Sequence, residues 1–248
     1  MASAQQGVAA TPGVARTVKG WFDDLGRLLF PRVCEVCGRT LVKGERLMCL
    51  RCRGEMPYTG YHAIPDNPLA IKLASRKAPL MTAAAMFHYH RDSPYARLIQ
   101  RAKYSDRPEI DHQLAREYAA TLLDAGFFDD IDLIVPVPMA TAKQLRRGYN
   151  QAVEIAEAIG ETAGIQVGEY LSARAHSTQT RKQAAERERN VSEVYSAIPE
   201  AVELGGCHIL VIDDVITTGA TILACCAALH KAAPSARLTA LALAATHR

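Results

Sequence analysis

The chain has 248 residues and a mass of 27.0 kDa, enough for one or two domains. With 49% hydrophobic and 22% charged residues it has the make-up of a soluble globular protein, which excludes wholesale disorder. The net charge of +3 does not by itself argue for a nucleic-acid partner, and no apolar run is long enough to span a bilayer.

Residues 1–25 read as a flexible leader rich in Ala, Gln, Gly and Thr. The segment lacks a basic start followed by an apolar stretch, so it does not read as a signal peptide, and a cytoplasmic location is expected. Residues 21–30 carry Trp21, Phe22, Leu25, Leu28 and Leu29 at helical spacing and stop at Pro31.

A four-cysteine module is expected over residues 26–60. Cys34, Cys37, Cys49 and Cys52 fall within nineteen residues as two Cys-x-x-Cys pairs with eleven residues between them. Two intervening residues let both thiolates of a pair reach one ion, and two pairs close a tetrahedral shell suited to Zn2+. A closed shell leaves no open position, so such a zinc would be structural. A rubredoxin-like iron, or four cysteines without metal, are the other readings. Gly38 suits the first knuckle turn. The other three cysteines differ: Cys225 and Cys226 lie on an apolar helical face and read as packing thiols, and Cys207 starts an apolar run.

Residues 57–82 mix Pro, Gly, Asn, Lys and Arg and read as a linker, with a second domain from about residue 80 to 248. There, apolar strand-like runs at 131–137, 207–212 and 238–244 alternate with helical stretches at 152–160 and 220–233. Strands alternating with helices predict an α/β domain with a parallel sheet. His88, His90 and His176 have no partner in the pattern and read as surface or packing residues.

The most informative stretch joins the 207–212 run to the last helix. Asp213 and Asp214 end an apolar strand. A loop of hydroxyls and glycine follows, with Thr217, Thr218, Gly219, Ala220 and Thr221. A helix start offers free N–H groups and a positive dipole end to a phosphate. The two carboxylates can accept hydrogen bonds from a vicinal diol. Phosphate and diol together describe a ribose 5-phosphate, beyond the carboxyl end of a parallel strand.

This stretch resembles the phosphoribosyl-diphosphate (PRPP) motif of type I phosphoribosyltransferases: four apolar residues, two acidic ones, then a Thr/Gly-rich loop. The order of parts resembles the ComF family, in which a cysteine module precedes such a domain. The similarity runs over residues 28–248. It takes in residues 28–31, 98–104 with Lys103 and Tyr104, 132–138, 147–151, 178–181, Arg187, Asn190, Val191 and the 213–219 loop.

The resemblance implies that Asp213 and Asp214, the candidate catalytic pair, hold the ribose hydroxyls, and that residues 215–221, from Val215 to Thr221, wrap the 5-phosphate. It places a pyrophosphate loop at Val135, Pro136, Val137 and Pro138, with Lys143, Arg146 and Arg147 following. It also makes residues 172–191 a loop that closes over substrate, in which Arg181, Lys182 and Arg187 could touch pyrophosphate. Interleaved Glu186, Arg187, Glu188 and Arg189 equally suit a charged surface helix. Lys103 is a candidate phosphate contact, and Asn150 and Gln151 suit either a ligand or a helix cap.

Three functions stay open. An active phosphoribosyltransferase would take PRPP with Mg2+ and transfer the phosphoribosyl group to a nitrogen or to water. What the ComF family implies is a role in natural transformation, with single-stranded DNA and helicase or recombination proteins as partners. Lys43, Arg46, Arg51 and Arg53 make the cysteine module basic, but aromatic residues, at 6%, provide no evident stacking platform. The third function is a regulator that senses a nucleotide with the same pocket.

Overall fold

The computed structural model describes residues 31–76, 79–104, 107–174 and 194–246, with the side chains of 142 and 143 outside the description. The expected leader, the 21–30 helix and most of the 172–191 segment, including Arg181 and Arg187, lie outside the described residues. The chain divides into two compact units, Met1–Gly54 and Glu55–Arg248.

The first unit is held by short-range hydrogen bonds. Cys34 N–H donates to Arg39 O (2.8 Å) and Gly38 N–H to Cys34 O (2.8 Å), closing a knuckle in which Gly38 takes φ +75°. Val33 and Thr40 form an antiparallel bridge across it. Helix α1 (Leu50–Gly54) carries the second knuckle. Its start is secured by Glu45, whose carboxylate accepts from Leu50 N–H (2.7 Å) and Val42 N–H (2.9 Å). Those two backbone donors hold the Glu45 carboxyl below its ordinary pKa.

The second unit is a parallel sheet with helices against it, the α/β architecture expected from the alternating pattern. Its strands are β1 (Thr82–His88), β2 (Leu133–Pro136), β5 (His208–Ile216) and β6 (Arg237–Ala245), in the order β1-β6-β5-β2, all pairs parallel. A separate antiparallel ribbon pairs β3 (Leu171–Ala173) with β4 (Tyr195–Ala197). Between these strands run α2 (Pro68–Ala74), α3 (Ala96–Tyr104), α4 (Pro108–Asp124), α5 (Thr141–Arg147), α6 (Gln151–Ala163) and α7 (Ala220–Ala232). Helices α4 and α6 pack on each other, and α7 packs on β5 and the ribbon. Among the described residues no helix is long and apolar enough to cross a membrane.

Burial explains the apolar runs. Ile209, Leu210, Val211 and Ile212 of β5 are fully buried, as are residues 240–245 of β6. Both read as near-continuous apolar stretches because helices flank the sheet. His208, the one polar residue in the first run, has polar neighbours in place: Nε2 lies 2.8 Å from Thr239 Oγ1 and Nδ1 lies 3.1 Å from Asp130 Oδ2.

Two sequence expectations are corrected. Residues 57–82 are not a linker but part of the second unit. Asn67, fully buried, caps α2 by accepting from Leu69 N–H (3.0 Å) and Ala70 N–H (2.9 Å). Its Nδ2 donates to Ala83 O (2.8 Å) of β1, so the stretch is sewn to the sheet. Secondly, the strand expected over 207–212 continues through both aspartates to Ile216, because β6 stays paired with β5 through Ile216↔Ala245. The loop is left with Thr217, Thr218 and Gly219.

Gly219 caps α7 at φ +83°, and a Cβ there would stand 2.3 Å from Leu73 Cδ2, itself fully buried. Gly219→Ala therefore meets a disfavoured left-handed backbone and must displace the buried Leu73 side chain. Thermal unfolding is expected to show a loss of about 1–3 kcal/mol; an unchanged Tm would contradict this packing.

Candidate functional site

The site forms where two neighbouring strands part. Pairing between β2 and β5 ends at Pro136↔Ile212, with a last bond from Val137 N–H to Ile212 O (2.8 Å). Val137, just after β2, is the last residue whose N–H reaches β5; Pro136 and Pro138 lie in phase with Ile134, on the edge that faces Gln166 and Gly168. Beyond that point β5 continues, paired only with β6. The connections also diverge. From β2 the chain runs through α6 to Val167, which bridges Ile134 on the far side of β2. From β5 it runs through α7 to β6, on the opposite side. Adjacent parallel strands whose connections leave in opposite directions make a switch point, where open α/β sheets bind ligands.

A cavity of about 330 Å³ occupies this position. Val137, Pro138, Met139 and Ala140 after β2 form one wall, and Asp213, Asp214, Val215, Thr217 and Thr221 another; Lys103, Arg147, Asn150, Gln151 and Tyr195 close it. The structure thus brings together Asp213, Asp214, Val215, Thr217, Thr221, Lys103 and Arg147. Thr218, Gly219 and Ala220 do not line the cavity: Thr218 Oγ1 accepts from Ala220 N–H (3.3 Å), and Gly219 faces Leu73. Arg146 is exposed and off the cavity wall, and Arg181 and Arg187 are not among the described residues.

The carboxylates are not equivalent. Lys103 Nζ lies 2.7 Å from Asp214 Oδ2. Burial alone would pull the Lys103 ammonium down, but the Asp214 charge beside it more than reverses this and raises it. Asp213, crowded by burial and by the Asp214 charge, is pushed up to about 8. Backbone donors brace both: Asp214 N–H donates to Asp213 Oδ1 (2.9 Å) and Val215 N–H to Asp214 Oδ1 (2.8 Å). The short loop after β5 is clamped from behind, where Lys72 Nζ (2.7 Å) and Thr246 Oγ1 (3.0 Å) both donate to Thr217 O.

Asn150 proves to be a cap that also lines the cavity. Its Oδ1 accepts from Ala152 N–H (3.1 Å) and its Nδ2 donates to Val137 O (3.0 Å), pinning α6 to the end of β2. Gln151 accepts from Arg147 Nη1, and the Arg147 guanidinium stands 5.9 Å over the Tyr104 ring.

Sequence reasoning missed Tyr195 and Asp111. Tyr195 is hydrogen-bonded to Thr221, and burial together with the nearby Cys225 and Asp213 raises its pKa. It follows the polar 172–191 segment, and nothing in its sequence neighbours marks it. Asp111 is fully buried on α4, where burial and then the Asp214 charge push it up to about 8. A carboxylate in the buried register of a helical pattern was a readable signal. His88 packs edge-on against Tyr61 at 5.5 Å, Cys225 and Cys226 are buried as expected, and His90 is exposed.

In the first unit, Cys34, Cys37, Cys49 and Cys52 place their sulfurs within 4.8 Å of one another. Cys37 and Cys49 Sγ are 3.8 Å apart, too far for a disulfide and the edge of a tetrahedron with bonds of about 2.3 Å. Cys34, Cys49 and Cys52 are buried. Burial raises the Cys34 thiol, but N–H donors led by Cys37 and Cys49 outweigh it and bring it down to about 7. The four sulfurs fit a structural Zn2+.

No family model matches the chain. Competence protein F of Haemophilus influenzae is 32% identical over 138 residues, covering 54% of this chain and 60% of that protein. The DNA utilization protein YhgH of Salmonella typhi is 26% identical over 195 residues, covering 77% and 80% respectively. The chain thus matches less than two thirds of the length of competence protein F. Among solved structures, a glutamine PRPP amidotransferase from B. subtilis complexed with ADP and GMP aligns with TM-score 0.36 and 19% identity, over 52% of this chain and 26% of that one. The curated relatives bear out the resemblance to the ComF family that the motifs carry.

Two outcomes follow from this geometry. Elemental analysis of the purified chain is expected to find one Zn2+ per molecule, with Cys49→Ser losing it and opening residues 31–54 to proteolysis; full protein with no metal would refute the fit. Asp111 stays protonated to about pH 8 in the fold but ionises near its ordinary value of about 4 when unfolded. Its unfolded form therefore binds fewer protons across that window, and stability falls as pH rises. Asp213, also pushed up to about 8, adds a drop of the same sign. Between about pH 5 and pH 7 the drop in urea-unfolding stability is expected to be on the order of 2 kcal/mol smaller in Asp111→Asn than in wild type; an equal drop in both proteins would exclude Asp111 as a source.

Proposed function

We propose that this relative of the ComF proteins binds PRPP, or a related ribose 5-phosphate ligand, in the cavity between the ends of β2 and β5, in a role linked to DNA uptake. One observation carries the reading: strand parting at the switch point puts two carboxylates, two cations and two threonines around a single cavity. In this reading Asp213 and Asp214 accept from the ribose hydroxyls. Thr217 and Thr221, at the start of α7, take the 5-phosphate, favoured by the helix dipole. Arg147 grips the pyrophosphate in its planar fork. Lys103, held by Asp214, keeps one carboxylate neutralised until a ligand hydroxyl competes for it.

Mg2+ arriving with PRPP would neutralise pyrophosphate oxygens, and the Asp213 and Asp214 carboxylates are the cavity's donors of the hard-oxygen type it prefers. Turnover is a further step. An acceptor nitrogen or water would have to attack the ribose C1 while Arg147 and Lys103 stabilise the leaving charge. The names of the relatives favour a role in handling DNA. A second reading rests on the cysteine module, where Arg32, Arg39, Lys43, Arg46, Arg51 and Arg53 outnumber Glu35 and Glu45. Such an excess suits the phosphate backbone of a nucleic acid.

Isothermal titration of the zinc-loaded chain with PRPP and Mg2+ tests the first reading. Wild type is expected to bind, and Asp213→Asn/Asp214→Asn to lose at least about tenfold in affinity. No heat from a folded wild type would overturn it. For the second, anisotropy of a labelled single strand is expected to show affinity falling log-linearly with salt; a retained affinity in Arg46→Ala/Arg51→Ala/Arg53→Ala would remove the module from the interface.

A further inference from the structure

The cavity's arginine is held by a side-chain chain that runs from the cavity wall into the packed interior. Arg147 Nη1 donates to Gln151 Oε1, and Gln151 Nε2 lies 3.4 Å from Asp111 Oδ2. The order of donors and acceptors is forced. A guanidinium can only donate, so the Gln151 amide must turn its oxygen to Arg147 and its NH2 to Asp111. Asp111 must then accept, through an oxygen that keeps a lone pair in either protonation state. Gln151 and Asp111 are almost wholly enclosed, at 2% and 0% exposure, while Arg147 reaches the cavity.

Asp111 has no other evident task. Its Oδ1 has no hydrogen-bond partner among the described residues, although it is sealed on the α4 face that packs on α6. An enclosed polar atom left unpaired costs free energy that an apolar residue would avoid. Helix packing therefore does not account for a carboxyl here. The bond from its other oxygen to Gln151 does.

We infer that Asp111 and Gln151 are positioning residues: a buried relay from α4 through α6 that fixes the Arg147 guanidinium at the mouth of the cavity, ready for a polyanionic ligand. Arg147 is then restrained on two sides, by Gln151 and by the Tyr104 ring. A long side chain ordered before the ligand arrives loses less rotamer freedom on binding. Burial favours the neutral form of Asp111, so the relay orients Arg147 without cancelling its charge. The benefit for affinity rests on the cavity accepting PRPP or a similar anion; the ordering of Arg147 does not.

The test is made on the full zinc-loaded chain, first without ligand. The side-chain Nε–Hε signal of Arg147 is assigned by its loss in Arg147→Lys, and its 15N heteronuclear NOE is measured. Wild type and Asp111→Asn, whose amide oxygen still accepts, are expected to show an ordered guanidinium. Gln151→Leu and Asp111→Leu are expected to drop to the value of surface arginines. Asp111→Leu exchanges a neutral buried carboxyl for an apolar group of similar size, and Gln151→Leu gives the same readout should that variant not fold. With PRPP and Mg2+, Asp111→Leu is expected to bind about tenfold more weakly. That loss should vanish in an Arg147→Lys background, since the residue acts through Arg147. An undiminished NOE in Gln151→Leu, or losses that simply add, would overturn the relay. If the NOE pattern holds while wild type ignores PRPP, the relay stands and the ligand assignment falls.

Discussion

The site depends on one interrupted ladder. The bond from Val137 N–H to Ile212 O is the last that β2 and β5 share, and the Val137 carbonyl is taken instead by Asn150 Nδ2 (3.0 Å). Because β6 holds β5 for four more residues, Asp213 and Asp214 remain on rigid strand rather than on loop. A carboxylate pair on a strand keeps its geometry whether or not a ligand is present, which is what preorganised binding requires.

Charge within the cavity is arranged by burial as much as by pairing. Two adjacent carboxylates cannot both ionise cheaply in a half-buried wall, and the outcome is asymmetric: Lys103 is paired with Asp214, and Asp213 is driven toward its neutral form. The second cation, Arg147, is paired directly with no carboxylate among the described residues. It is set by an amide and an aromatic ring, neither of which spends its charge. The cavity therefore keeps one positive group available for an anion while holding its acidic wall in check.

The cysteine module follows a different logic. Its short-range bonds bring four sulfurs together, and Val36, Leu41, Leu47 and Met48 are buried in the same segment. Its structure is local chemistry, whereas that of the second unit is long-range packing.

That difference decides what could be read without coordinates. The two Cys-x-x-Cys pairs, the apolar runs of β5 and β6 and the Asp213–Asp214 signature were legible because ligand spacing, burial on both sheet faces and a strand-to-helix turn leave local patterns. The 57–82 stretch misled because Pro, Gly and Asn mark turns equally in linkers and in packed segments; the bonds from Asn67 to Ala83 O and to α2, and those of Pro57 and Thr59 to β1, show it is structural. The end of β5 was placed too early, since two aspartates look like a stop until β6 is seen to pair alongside them. Tyr195, Gln151 and Asp111 join the site through contacts between elements distant in the chain. Residue type and neighbours determined the metal knuckles, the α/β class and the acidic pair. Strand order, the parting of β2 from β5 and the buried support behind Arg147 were decided only by tertiary structure, because a hydrogen bond across forty or more residues leaves no periodicity in the sequence.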